Sequence, residues 1–121
     1  MEELRNSLIS DLKMIGADTE GLDLKLKSFS KCYFGRYKVD KKQIIVYVYE
    51  DAECTRLFTY KKLFWTVLHE YVHHVQWCDP NYIRCRGIMH DAEFHKLYRK
   101  YLGRYYRKCV ERKLSTVSGA E

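Results

Sequence analysis

His69-Glu70-Tyr71-Val72-His73 sets two imidazoles and a carboxylate at the spacing that zinc-assisted hydrolysis requires. Residues four apart on a helix lie one above the other on the same face, so His69 and His73 face a single point. Glu70, beside the first of them, can reach a metal-bound water without taking a coordination position. A hydrolytic zinc site needs three protein ligands and a fourth position open to water, so a third ligand must come from elsewhere. His90 stands 17 residues after His73, beyond a helix-breaking proline and at the start of the next helical pattern. Glu93 competes with it, because zinc enzymes with HExxH also recruit a glutamate from the following helix. His95 is out of phase with His90. His74 points about 100° away from His73 on a helix, which suits a polar supporting role better than ligation.

The elements that must hold these groups can be read from periodicity. An apolar, helix-periodic run from about Tyr60 to Trp77 carries the HExxH stretch. Thr59 can cap it, Asp79-Pro80-Asn81 ends it, and a helix this apolar is buried on most sides. Upstream, Leu4, Leu8, Ile9, Leu12 and Ile15 predict a helix over 2–14 that Gly16 can end and whose stripe covers one face of a sheet. Leu22, Leu24 and Leu26 alternate with charges as in a half-buried strand, and a second strand is expected over 32–39. After the Asp40-Lys41-Lys42 turn, residues 43–49 form the strongest strand, apolar on both faces and expected to be the most buried. A connection over 82–89 leads to His90. Asp91 can cap a last helix reaching about Lys113, with Phe94, Tyr98, Tyr101 and Tyr105 on its inner face and residues 114–121 as a frayed tail. The order α-β-β-β-α-α predicts one α+β domain over residues 1–121, with a small antiparallel or mixed sheet packed on the HExxH helix.

The chain has 121 residues, 46% hydrophobic and 31% charged, as in a soluble globular protein. No apolar run approaches the roughly 18 residues of a membrane span. The amphipathic start is unlike a secretory signal, so no membrane association and an intracellular location are expected. Five cysteines, odd in number and without a CxxC pair, argue against a disulfide framework or a structural zinc site. Cys78 and Cys85 flank a short loop and can pair only where intracellular disulfides are tolerated. The net charge of +6 is uneven: residues 1–80 hold 12 Lys/Arg and 12 Asp/Glu, and residues 81–121 hold 10 and 4. Lys96, Arg99, Lys100, Arg104, Arg107 and Lys108 crowd the outer face of the last helix. They read either as a solvated face or as a contact for an anionic partner, DNA being the commonest.

The block from Leu63 to Phe94 resembles the core of the SprT-like zinc metalloproteases, and more broadly the small zincins that include the WLM group. The matching pieces are the apolar lead-in, His69-Glu70-Tyr71-Val72-His73-His74, and His90-Asp91-Ala92-Glu93-Phe94, which is similar to a His-Gly-x-x-Phe motif. Asp91 stands where that motif has glycine. The resemblance extends over roughly residues 30–103 and implies a minimal zincin fold. It also implies one Zn2+ ion held by His69, His73 and His90, Glu70 as catalytic base, and Phe94 packed behind the site. The implied activity is hydrolysis of peptide bonds in a protein or peptide substrate, including proteins crosslinked to DNA. The neighbouring minigluzincins would make Glu93 the third ligand and the enzyme latent, with residues 114–121 or the first helix over the cleft. Tyr82 and Tyr98 are candidate oxyanion donors, and the strand near 43–49 or its neighbour is a candidate edge for an extended substrate. The reading from a different class is a non-catalytic nucleic-acid-binding protein whose zinc is structural.

Overall fold

A computed structural model describes residues 1–82 and 90–119, with side chains through 114. The protein is an α+β domain of three helices and a three-stranded mixed sheet in the order α-β-β-β-α-α. Helix α1 (Glu2–Met14) closes with Gly16 at φ +83, Ala17 N–H donating to Leu12 O and Gly16 N–H to Lys13 O. This is the Schellman arrangement, and it needs a residue without Cβ at that left-handed position.

Strands β1 (Asp23–Lys27), β2 (Gly35–Lys38) and β3 (Gln43–Tyr47) lie in the order β1-β3-β2. β1 runs parallel to β3 with Leu24 opposite Ile44, and β2 runs antiparallel to it with Gly35 opposite Val46. β3 is therefore central, and Ile44 to Val48 are all buried. Of the two strands expected to offer substrate an edge, only the neighbour qualifies. β3 is paired on both sides, β1 and β2 are the two edge strands, and β2 is the one that lies against the HExxH stretch. β2 is shorter than the 32–39 expected, although Phe34 O still accepts from Tyr47 N–H at 3.0 Å.

Helix α2 (Tyr60–Cys78) starts at Thr59, whose side chain accepts from Lys62 N–H. It packs on the same sheet face as α1. Leu8, Leu12 and Ile15 of the first helical segment meet Leu24, Ile44, Val46 and Val48 of the sheet and Leu63, Phe64, Val67 and Leu68 of α2 in one core. Helix α3 (Ala92–Gly119) covers α2 from the other side, with Phe64 stacked on Tyr105 at 4.2 Å and Tyr71 edge-on to Tyr101 at 5.4 Å. It runs past the expected end near Lys113, because no glycine or proline follows Gly103 before Gly119. Among the described residues no helix is long and apolar enough to cross a membrane, and no two cysteines are bonded. Cys85 and the 83–89 part of the connection lie outside the described residues.

One buried carboxylate ties the three helices together. Asp11 of α1, 8% exposed, accepts a hydrogen bond from the Tyr60 hydroxyl at the start of α2 and lies 3.5 Å from the Arg112 guanidinium of α3. Burial, then Asp11 itself, pushes the Tyr60 phenol well above its ordinary pKa, so it remains a donor. Replacing Asp11 with Ala leaves Tyr60 without its acceptor. The expected loss of unfolding free energy is about 1–3 kcal/mol, measured by urea titration.

Candidate metal centre

α2 places its polar residues in two adjacent stripes. Thr66, Glu70 and His74, four residues apart, face β2. Gly35 is what lets the strand approach so closely: a Cβ there would meet Thr66 Cγ2 at 2.6 Å, Ile45 O at 3.1 Å and Glu70 Cγ at 3.5 Å. Two residues along, the Tyr37 hydroxyl shares a hydrogen bond of 2.8 Å with His74 Nδ1. His74 is thus the buried tie between α2 and the edge strand, with Cys78 Sγ 3.8 Å from the same nitrogen. Burial, and next the Cys78 thiol, push the Tyr37 phenol up to about 12.

The neighbouring stripe carries His69 and His73. With His90, at the start of α3, they form a group whose ligand atoms all lie within 4.8 Å of one another. Ring centroids are 5.1 Å apart for His69–His73, 4.7 Å for His69–His90 and 5.0 Å for His73–His90. Phe94, 2% exposed, lies 4.9, 4.7 and 4.7 Å from the three rings and closes the triangle from behind.

The residues fit a metal ion on two counts. His73 Nε2 and His90 Nε2 are 3.2 Å apart, and two nitrogens bound tetrahedrally at about 2.0–2.1 Å would stand about 3.3 Å apart. The second count is Glu70. It is 7% exposed, and its Oε2 has no hydrogen-bond partner among the described residues. Burial pushes its carboxyl up to about 7, and a cation at the histidines would supply the missing counter-charge. Burial also lowers His69 to about 4, helped by His90, His95 and Lys62. Its imidazole is therefore neutral near pH 7, the protonation state a metal requires. The three histidines can hold a metal ion.

The other sequence candidates are placed as follows. Glu93 is exposed in the first turn of α3 and does not join the group, and His95 is exposed with its ring against Phe94. Tyr98 lines the cleft beside His69, whereas the Tyr82 hydroxyl donates to Asp91 Oδ2 at 2.9 Å. Of the six candidate cations among those on α3, Arg104 donates to Ile15 O at 3.3 Å and lies over the Tyr101 ring, and Lys108 pairs with Glu111 at 3.4 Å. Lys96, Arg99, Lys100 and Arg107 are exposed.

Two clefts meet at Tyr33, Gly35, His69 and Glu70, one of about 370 Å³ toward Phe34, Lys62 and Trp65, the other of about 420 Å³ toward Arg36, Val39 and Trp77. Together they make a groove along the outer side of β2. Because Phe34 pairs with Tyr47 through hydrogen bonds, strict alternation leaves the N–H and C=O of Gly35 and Tyr37 directed outward. Among the described residues no strand pairs with that edge. Sequence reasoning misses Gly35 and Gln76, although each leaves a signal. A glycine inside a strand pattern marks close backbone approach, and Gln76 falls one turn after His73 on the same helical side.

In dialysed protein, one transition-metal ion per chain is expected by metal analysis. His69→Ala, His73→Ala and His90→Ala should each lose it, and Glu93→Ala should retain it. No family model matches the chain, and no curated protein or solved structure matches it.

Proposed function

We propose that this chain is a small zinc metallopeptidase of SprT-like architecture, hydrolysing extended polypeptides laid along β2. The observation that carries this reading is the buried Glu70 carboxylate, whose Oε2 has no hydrogen-bond partner among the described residues, beside three converging imidazoles and at the middle of a groove along a strand edge that no described strand pairs with. When bound, zinc supplies Lewis-acid polarisation of the scissile carbonyl and makes water acidic enough to ionise near neutral pH. His69, His73 and His90 would hold the ion, and among the described residues no fourth ligand joins them, which supports a position open to water. Glu70 takes the proton of the attacking water and passes it to the leaving amine, a shuttle suited to a carboxyl held near pH 7 by burial. Gly35 and Tyr37 offer outward backbone donors and acceptors that fix an extended substrate by strand addition. Tyr98 stands beside His69 as a donor toward developing oxyanion charge. Phe94 excludes water from behind.

The exposed cations of α3 begin within a turn of the centre, at Lys96, and support a substrate presented on DNA or another polyanion.

Two experiments test the proposal. Glu70→Gln should keep stoichiometric zinc and lose roughly 10²–10⁴-fold in cleavage of an unfolded protein. Activity equal to the parent sinks the peptidase reading. DNA affinity of the parent should fall steeply with salt. Neutralising Lys96, Arg99, Lys100 and Arg107 should flatten the log–log slope by about 0.9 for every phosphate that the variant no longer neutralises, while Arg104→Gln should act on thermal stability instead.

A further inference from the structure

We propose that Asp91 is a positioning residue for the metal centre, its carboxylate clamping together α2, Tyr82 and the start of α3 so that His90 stands over His69 and His73. The inference rests on the metal-binding reading of the three histidines and goes beyond it.

His90 is exposed, so packing alone does not hold its ring. What fixes the chain beside it is the next residue. Asp91 Oδ1 accepts from Phe94 N–H at 2.9 Å and from Gln76 Nε2 at 3.4 Å, and Oδ2 accepts from the Tyr82 hydroxyl at 2.9 Å. Each partner belongs to a different part of the site. Gln76 is 4% exposed and lies one turn after His73 on α2. Tyr82 lies four residues after the end of α2, and Asp91 directly precedes α3. Phe94 is the residue whose ring touches all three histidines. One carboxylate, next to His90 in the chain, thus ties Tyr82 and the start of α3 to the helix that carries the other two ligands. Hydrogen bonds that orient a metal's ligands commonly tune affinity by about 10–100-fold.

The competing account is that Asp91 only caps α3. A cap needs a single acceptor for one backbone N–H at the helix start, and the Phe94 bond alone fills that need. The second oxygen and the Gln76 bond are in excess of it. Serine separates the two accounts, since it caps a helix as well as aspartate does but cannot reach Gln76 and Tyr82 together.

The experiment compares the parent with Asp91→Ser, Asp91→Ala, Tyr82→Phe and Gln76→Leu. Zinc affinity is read by competition with a chromophoric chelator, the Co2+ absorption spectrum reports coordination geometry, and thermal unfolding in chelator reports the metal-free fold. Asp91→Ser, which keeps the cap, is expected to stay folded when metal-free and to melt above Asp91→Ala, yet to bind zinc about 10–100-fold more weakly with an altered cobalt spectrum. Tyr82→Phe and Gln76→Leu should weaken zinc in the same direction with the cap intact, and so remain readable if the Asp91 variants fail to fold. Asp91→Ala should lose both affinity and stability. Zinc affinity unchanged in Asp91→Ser, or in both Tyr82→Phe and Gln76→Leu, overturns the clamp and leaves the metal centre standing. Absence of zinc binding by the parent, or binding that survives His69→Ala with His73→Ala, overturns the metal centre and the clamp with it.

Discussion

α2 must be apolar enough to sit between the sheet and α3 and polar enough to carry chemistry. Ten of its 19 residues are buried, and Glu70, His73, His74 and Gln76 are among them. A buried polar group left unpaired costs about 1–3 kcal/mol, so each must find a partner on whatever packs against the helix. His74 finds Tyr37 on β2, Gln76 finds Asp91 before α3, and His73 faces His90 across 3.2 Å. The need to satisfy these groups therefore specifies how the edge strand and the start of α3 are placed. Gly35 follows from the same demand, because Tyr37 reaches His74 only if β2 lies against α2 closer than a side chain would allow.

Glu70 breaks the pattern, and the break is electrostatic. In the metal-free site, burial favours a protonated Glu70 and a neutral His69, their pKa values displaced in opposite directions by the same cause. Both shifts remove charge from a poorly solvated space. A divalent cation at the three histidines would reverse the balance for the carboxyl alone. It attracts the ionised form of Glu70 and takes His69 as it already is, so the imidazole has no proton to lose on binding. The group that would change state on metal binding is then Glu70. Histidine and glutamate side by side on one buried helix thus behave as a matched pair.

Periodicity carries the element order, because each helix and strand here buries one face and writes it as a 3.6 or 2.0 repeat. The burial of β3 follows from apolar residues on both its faces. The pair His69 and His73 is legible for the same reason, since helical geometry is local. His90 is less so: nothing in residues 74–89 dictates where the chain returns, and only the group's geometry places it beside His73 while leaving Glu93 exposed. Strand pairing is likewise non-local, which is why the sequence narrows the edge to β3 or a neighbour and no further. Tyr82 reads as a donor toward substrate because a phenol downstream of HExxH suits that role. Its hydroxyl is instead engaged by Asp91, a hydrogen bond that spacing does not encode.

α3 shows most plainly what composition cannot separate. Arginines with similar sequence surroundings do opposite work on it. Arg104 and Arg112 turn inward to Ile15 O and Asp11, holding the helix to α1, while Arg99 and Arg107 face outward. The inward pair matters to the site through rigidity. Phe94 and Arg112 lie on one uninterrupted helix about five turns apart, so contacts with Phe64 and Asp11 at the far end fix the angle at which Phe94 meets the histidines. The same helix carries Lys96, Arg99 and Lys100 within about 9 Å of axial rise from Phe94. A single docking geometry therefore sets the back wall of the metal centre and the position of its nearest exposed positive charge, and a polyanion bound there would lie beside the centre and not at the opposite end of the domain.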